Sequence, residues 1–256
     1  MRLKLTISYD GTPYKGWQKQ DDKRTVQGEI EDAFFKITGL PVSSFLGSGR
    51  TDEGVHAINQ IAHFDFFDEM GKVNVDGLVG AFNFYLPLSI AVKKVEIAPT
   101  GFNACKNAKQ KTYCYDMYSG VRNPLLESRA CWLDAKNIDF ALMKKAASLF
   151  LGTHDFIAFR AKGSSATTTT RTISECSLKK VDLFGSCGYR LTITANGFLY
   201  KMVRIIAGTI IKAGTGKITI DKIKELLNSK QEWEHKTTAP ACGLYLYEVM
   251  YHPNPK

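Results

Sequence analysis

The sequence of 256 residues lacks the features of several common protein classes. It has no apolar run near the ~20 residues that a membrane-spanning helix needs. Its N-terminal segment, Met1 to Tyr9, alternates apolar and polar side chains, whereas a signal peptide needs an unbroken apolar stretch. We therefore expect a mature start that forms a strand, and a cytoplasmic protein that does not enter a membrane.

Cysteine and histidine are few and scattered. The six cysteines form no C-x-x-C pair, and none of the five histidines stands at ligand spacing. Zinc sites cluster their ligands, and small secreted scaffolds carry cysteine more densely. The spacing predicts reduced thiols, several of them buried, and argues against a metal. The cysteine positions are 105, 114, 131, 176, 187 and 242.

Acidic residues are the scarcer charges: 25 Asp and Glu stand against 34 Lys and Arg, a formal net charge of +9. The positive surplus is spread along the chain rather than gathered in a tail. It suits a polyanionic partner, because each neutralised phosphate releases condensed counterions. On charge alone, a basic protein without a nucleic-acid partner is an equally good interpretation.

Hydrophobic residues make up 44% of the sequence, enough for a core. The first half predicts strands at 3–9, 60–66 and 88–97 and helices from Thr25 to Gly39 and at 78–84, with Thr25 as an N-cap. The second half predicts a strand at 111–118, a hairpin over 173–195, a last strand at 244–251, and helices at 138–151, 197–213 and 221–228. We predict an α+β protein of two halves, 1–100 and 101–256, with a largely antiparallel or mixed sheet flanked by helices.

The densest polar cluster, GSGRTDEGVHA, runs from Gly47 to Ala57. Its glycines permit tight turns that expose the side chains between them. The residues alone leave three interpretations open: a phosphate-binding loop, a salt-bridged turn, or a nucleophile on a rigid corner. The cluster lacks the Gly-Lys-Ser/Thr of a P-loop and follows no clear strand, which argues against a nucleotide cofactor.

Part of this cluster, GRTDEGVHA from Gly49 to Ala57, resembles the signature G-R-T-D-x-G-V-H-A of the bacterial tRNA pseudouridine synthase A family. That family isomerises uridine to pseudouridine at positions 38, 39 and 40 of the tRNA anticodon arm. The resemblance implies a cofactor-free, homodimeric tRNA-modifying isomerase with a central RNA-binding cleft. Further segments match the family in order: YDGT at 9–12, GWQ at 16–18, TVQG at 25–28, KTYCY at 111–115, GTHDF at 152–156, FLYKMVR at 198–204 and APACGLYL at 239–246.

The resemblance implies three catalytic residues. Asp52 is the nucleophile that adds covalently to the sugar at C1′ or to the base at C6, an alternative that stays open. Arg204, predicted to lie off the apolar stripe of its helix, keeps that carboxylate ionised. Tyr113 stacks on the flipped-out base, and its hydroxyl takes the C5 proton. Tyr115, on the same strand face, is expected to be a packing residue.

The resemblance also implies RNA contacts. Arg50 is expected to reach into the stem and help hold the target base out of its stack. Leu244 is expected to pack against the base, with a place in the core as the alternative. The histidines His56 and His63 are expected to be structural. The other predicted RNA contacts are Phe102, Asn103, Lys106, Ser164, Ser165, Thr167 and Thr168.

Two departures from the family pattern concern these contacts. Cys105 stands where the family usually has an arginine, within the segment 102–106. The stretch GSSATTTT from Gly163 to Thr170 predicts an exposed, mobile loop, either a surface linker or a loop whose hydroxyls touch phosphates. Both departures bear on RNA specificity rather than on catalysis.

Two other functions remain as alternatives. One is a divergent paralogue that modifies other RNA uridines, and the other is a non-catalytic RNA-binding protein of the same fold. The presence of Asp52, Arg204 and Tyr113 argues against a pure binder, which has no chemical need for a carboxylate facing polyanionic RNA.

Overall fold

A computed structural model describes residues 1–69, 71, 73–134, 137–163 and 166–251. The chain folds as two compact units, Gln110–Leu244 and Met1–Lys109 with the described part of Tyr245–Lys256. The two halves predicted from the sequence had a single boundary, near residue 100. The last strand returns to the first unit because it pairs there with a strand about 190 residues earlier in the chain, a choice that local periodicity does not encode.

Among its described residues, the first unit contains five strands and two helices. Strand β1 pairs antiparallel with β3 and β4, β2 pairs antiparallel with β3, and β10 pairs parallel with β3. Alternation along β1 buries its odd-numbered residues, Leu3 to Tyr9, on one face. The bounds are β1 Arg2–Tyr9, α1 Val26–Thr38, β2 Ser43–Gly47, β3 His56–Asp65, α2 Leu78–Tyr85, β4 Ile90–Ile97 and β10 Leu244–Tyr251. The first residue of β10, Leu244, is counted with the second unit.

Aromatic side chains hold α1 on the sheet of the first unit and α2 against α1. The ring of Phe34, in α1, lies 4.8 Å from that of Phe64 in β3 and 6.1 Å from that of Phe82 in α2, measured between centroids. Such pairs add ~0.5–1.5 kcal/mol beyond the burial of their area. The predicted N-cap is confirmed, since Thr25 Oγ1 accepts the Gly28 N–H, and α1 ends at Gly39 in the left-handed conformation.

The described part of the second unit contains a sheet and three helices. Strand β5 pairs antiparallel with β9 and parallel with β6, and β8 pairs antiparallel with β9 and β7. The predicted hairpin is confirmed: β8 and β9 are joined by Phe184 and Gly185, both at positive φ, as a tight two-residue turn requires. The bounds are β5 Ala108–Ser119, β6 Cys131–Leu133, α3 Phe140–Ser148, β7 Gly152–Asp155, β8 Thr170–Leu183, β9 Ser186–Ala195, α4 Met202–Gly214 and α5 Ile220–Asn228.

Two predictions about local structure were wrong. The helix predicted at 197–213 begins only at Met202, because Lys201 adopts a φ of 57°, outside the helical region. The GRTDEGVHA loop does follow a strand, β2, which has only five residues and whose Ser44 has a φ of 51°. The α+β class and the mostly antiparallel pairing are confirmed. No helix in the part of the chain that the structure describes is long and apolar enough to cross a membrane.

Candidate active site

The loop that carries Asp52 connects β2 to β3, and its backbone is hydrogen-bonded on both sides of that residue. The hydroxyls of Thr51 and Tyr9 share a hydrogen bond of 2.8 Å, and the Trp17 N–H donates to the Thr51 carbonyl over 3.1 Å. The Val55 N–H closes a turn on the Asp52 carbonyl over 3.2 Å. The side chain of Asp52 is half-buried and Arg50 is exposed. The loop therefore presents both side chains from an anchored backbone.

Two glycines allow another part of the chain to lie against this loop. A Cβ on Gly11 would overlap the Val55 carbonyl. Gly16 has a φ of 100°, and a Cβ there would lie 2.8 Å from the Thr51 carbonyl oxygen. Both glycines lie in segments that match the family pattern, YDGT and GWQ, which was the only sequence signal for this role.

Both histidines that the sequence left without a partner are buried and bonded to backbone. His56 Nδ1 accepts the Gly11 N–H over 3.0 Å, and its ring stacks on Tyr245 at 4.7 Å. His63 Nδ1 accepts the Ala104 N–H over 3.1 Å, and burial lowers the pKa of His63. These contacts support the structural role expected for both residues.

His63 thereby holds the segment 102–106, which was predicted to touch RNA. The ring of Phe102 packs edge-on against His63 at 5.9 Å, and Asn103 Oδ1 accepts the N–H groups of Cys105 and Lys106. Phe102 and Asn103 are half-buried, whereas Cys105 and Lys106 are exposed. Within this segment the structure thus uses Phe102 and Asn103 to shape the turn and displays Lys106 to solvent.

In the second unit, Tyr113 and Tyr115 lie two residues apart on β5. Tyr113 is buried, and its ring meets the ring of Phe198 edge-on at 5.1 Å. Tyr115 is fully buried, and its hydroxyl donates to the Pro240 carbonyl over 2.9 Å. Tyr115 therefore does more than pack, because it also fastens the segment before β10.

Arg204 is attached to this same segment. Its Nε–H donates to the Ala239 carbonyl over 2.8 Å, and the residue is half-buried, so the guanidinium that the sequence placed off the apolar stripe of its helix is held by backbone. Close approach of the segment requires Gly208, where a Cβ would overlap the Thr237 carbonyl. Leu244, which follows a short 3-10 turn, is buried within the fold.

The hydroxyl-rich stretch is described only in part. Thr167 and Thr168 are exposed, as expected. Arg171 Nη1 donates to the Thr168 carbonyl and to its Oγ1, over 3.1 and 3.3 Å. Ser164 and Ser165 lie outside the described residues.

The predicted site residues therefore fall into two groups, one in each compact unit. The first unit carries the anchored Asp52 loop and the segment 102–106. The second carries Tyr113, Arg204 and Leu244. Arg204 and the neighbouring packing residue Tyr115 are both bonded to the backbone segment before β10.

Known proteins resemble this chain over almost its whole length. It matches the model of a family described as tRNA pseudouridine synthase at residues 5–105 and 146–252. The tRNA pseudouridine synthase A of Acetivibrio thermocellus is 44% identical over 255 residues, 97% of this chain and 99% of the relative. That of Caldicellulosiruptor bescii is 42% identical over 247 residues, 96% and 98% of the two chains. That of Bacillus subtilis is 40% identical over 255 residues, 98% and 99% of the two chains.

Similarity of this extent confirms the family that the motifs indicated and the predicted class of enzyme, an isomerase that acts on uridine in tRNA. It also accounts for the positive charge, since the substrate is a polyanion. The chain belongs to the tRNA pseudouridine synthase A family.

Proposed function

We propose that this enzyme converts uridine to pseudouridine at positions 38, 39 and 40 of the tRNA anticodon arm, with Asp52 as its nucleophile. The observation that carries the assignment of Asp52 is its half-buried carboxylate on a loop bonded at Thr51 and turned back at Val55. A covalent nucleophile needs a fixed approach to the reacting atom, and an anchored loop supplies one.

The reaction breaks the bond between N1 and C1′ and forms one between C5 and C1′. The proton on C5 leaves and N1 gains one, so nothing is oxidised and no atom is added. Asp52 adds either to C1′, displacing the uracil at N1, or to C6 of the uridine, and its bond to the substrate breaks again as the product forms, so that the carboxylate is regenerated. The chemistry requires no cofactor, and a base that accepts the C5 proton completes it.

The other two catalytic roles rest on the family resemblance and on local geometry. Arg204 keeps the carboxylate of Asp52 ionised. Because the Ala239 carbonyl already holds its guanidinium, this side chain does not have to be ordered first. Tyr113 offers its ring to the flipped-out base and its hydroxyl to the C5 proton. The contact with Phe198 fixes the angle of that ring.

The RNA contacts belong to the same proposal. Arg50 and Lys106 are exposed and basic, which suits contact with the stem and the phosphates. Leu244 packs against the base, while Phe102 and Asn103 shape the turn that presents Lys106. Exposed hydroxyls of Thr167 and Thr168, together with Ser164 and Ser165, contact phosphates. From the family we also expect a cytoplasmic homodimer with a central RNA-binding cleft.

Two measurements test this function. Purified enzyme is expected to release tritium from C5-labelled uridine in tRNA, and cells without the gene are expected to lack pseudouridine at positions 38, 39 and 40. Release of tritium with pseudouridine lost only elsewhere would identify a divergent paralogue. No release from any tRNA would leave a non-catalytic RNA-binding protein.

A further inference from the structure

Four polar side chains are buried in the first unit around the base of the Asp52 loop. The exposed fractions are 4% for Tyr9, 0% for Ser48, 7% for Thr51 and 0% for Gln60. Burying polar groups is unfavourable unless they bond to one another or to backbone. Such a cluster persists in a core only where its hydrogen bonds offset the loss of water.

Gln60 lies at the centre of this cluster. Its Oε1 accepts the Ser48 hydroxyl over 2.7 Å, and its Nε2 donates to the Gly49 carbonyl over 2.8 Å. In the same cluster the hydroxyl of Tyr9 shares a hydrogen bond of 2.8 Å with that of Thr51. The cluster thus holds the chain on both sides of Arg50, through Gln60 at Ser48 and Gly49 and through Tyr9 at Thr51.

The position of Gln60 on β3 explains how it reaches the loop. Residues 60, 62 and 64 share one face of the strand, and Ala62 and Phe64 on that face are fully buried. An apolar residue would fill this position without the cost of burying an amide. The amide is needed because the Gly49 carbonyl and the Ser48 hydroxyl are turned toward it and away from water.

We propose that Gln60 is a positioning residue for pseudouridine formation, acting through Ser48 and Gly49 on the backbone that carries Arg50 and Asp52. Gln60 does not touch the substrate. Its amide bonds hold the chain at Ser48 and Gly49, where the loop begins, so that the carboxylate of Asp52 approaches the uridine along one direction. This inference rests on the proposed role of Asp52, because it concerns the orientation of that carboxylate.

The test is Gln60→Met, which keeps the length of the side chain and removes both hydrogen-bonding groups. We expect the single-turnover rate at saturating tRNA to fall about 100-fold, since a misplacement of ~1 Å at a reacting group has this effect. The Kd for tRNA is expected to stay within about threefold, because phosphate contacts dominate RNA affinity. A merely structural role would lower the melting temperature and leave the rate of the folded protein unchanged.

Ser48→Ala provides a milder variant, which removes one hydroxyl and one bond to Gln60. We expect a rate about tenfold below that of the wild type. The control is Asn83→Leu in the same unit, because the Asn83 amide likewise makes two hydrogen bonds, donating to the Val92 carbonyl and accepting the Val92 N–H, each over 2.8 Å. This control is expected to lose stability and keep its rate.

Wild-type single-turnover rates in folded Gln60→Met would overturn the inference. If Gln60→Met does not fold, a wild-type rate in Ser48→Ala would overturn it instead. Asp52→Asn is measured in parallel: if it keeps wild-type turnover, the proposed function fails, whereas an inactive Asp52→Asn beside a fully active Gln60→Met rejects only the inference about Gln60.

Discussion

Arg204 and Ala239 are joined by two hydrogen bonds. The Nε–H of Arg204 donates to the Ala239 carbonyl over 2.8 Å, and the Ala239 N–H donates to the Arg204 carbonyl over 3.0 Å. One bond fixes the guanidinium and the other fixes the backbone that carries it. The direction of the guanidinium is therefore set by the segment before β10 as well as by α4.

Arg204→Lys is expected to lower the single-turnover rate at least 100-fold although the charge is kept. A lysine has no Nε–H for the Ala239 carbonyl and no planar fork for a carboxylate. The control is Arg190→Lys, which disrupts a paired contact with Asp116 in the same unit. That control is expected to stay within about threefold of the wild type. Near-normal rates in Arg204→Lys would remove Arg204 from catalysis.

Asp52→Asn is expected to abolish turnover while the fold and the affinity for tRNA persist. The amide keeps the shape of the side chain and lacks the nucleophilic carboxylate. Glu53→Gln is the matched control, because Glu53 is the neighbouring carboxylate and is exposed beside Lys15. Tritium release and binding at one fixed salt concentration measure the two effects. Turnover within tenfold of the wild type in Asp52→Asn would contradict the assignment.

The comparison of Tyr113→Phe with Tyr113→Leu separates two roles of Tyr113. Loss of a general base typically lowers a rate ~10²–10⁴-fold, so the Phe variant is expected to bind tRNA normally and to stall after glycosidic cleavage. The Leu variant also loses the stacking surface and up to ~1–3 kcal/mol of base capture. A fully active Phe variant beside a defective Leu variant would leave Tyr113 a stacking residue only.

Tyr115→Phe removes the hydroxyl that bonds to the Pro240 carbonyl, next to the residue that holds Arg204. We expect the single-turnover rate to fall about tenfold, because the segment that orients Arg204 loses one of its attachments. Tyr118→Phe serves as control, since Tyr118 is buried on the same strand and its hydroxyl accepts the Asn123 N–H. Equal rates in the two variants would return Tyr115 to packing alone.

Stability is expected to fall in mildly acidic solution because of His63. Burial lowers the pKa of His63 in the folded protein, so the unfolded chain binds the proton more readily. The contribution of a neutral His63 is fully present above the unfolded pKa of about 6.5 and is lost as the pH falls toward the folded pKa. The carboxyl of Asp65 titrates below its usual range, because its hydrogen bond with the Arg2 guanidinium lowers its pKa.

The measurement is the melting temperature of the wild type and of His63→Asn between pH 7.5 and pH 5.5. The asparagine keeps an acceptor for the Ala104 N–H and has no titrating group. We expect the wild type to lose more stability across this range than the variant. Equal slopes would show that His63 does not control the acid sensitivity.

Much of the local structure followed from the sequence because it depends on neighbours along the chain. The N-cap at Thr25, the alternation of β1 and the hairpin over 173–195 each arise from a few adjacent residues, although the turn of that hairpin lies at Phe184 and Gly185 rather than within 185–188. The residues of the candidate site were found in another way, through the resemblance of GRTDEGVHA and the accompanying motifs to one family.

Only the tertiary structure decided which distant segments support those residues. The contacts that support them join residues between 11 and about 190 positions apart. They are the hydrogen bond from Gln60 to Gly49, the close approach of Gly11 to Val55 and the parallel pairing of β10 with β3. Gln60 had a faint signal, as a polar residue on the same strand face as Ala62 and Phe64. No sequence signal indicated the hydrogen-bond partners of Gln60. A buried amide bonds to whichever backbone group the fold brings within about 3 Å, and no periodicity encodes that choice.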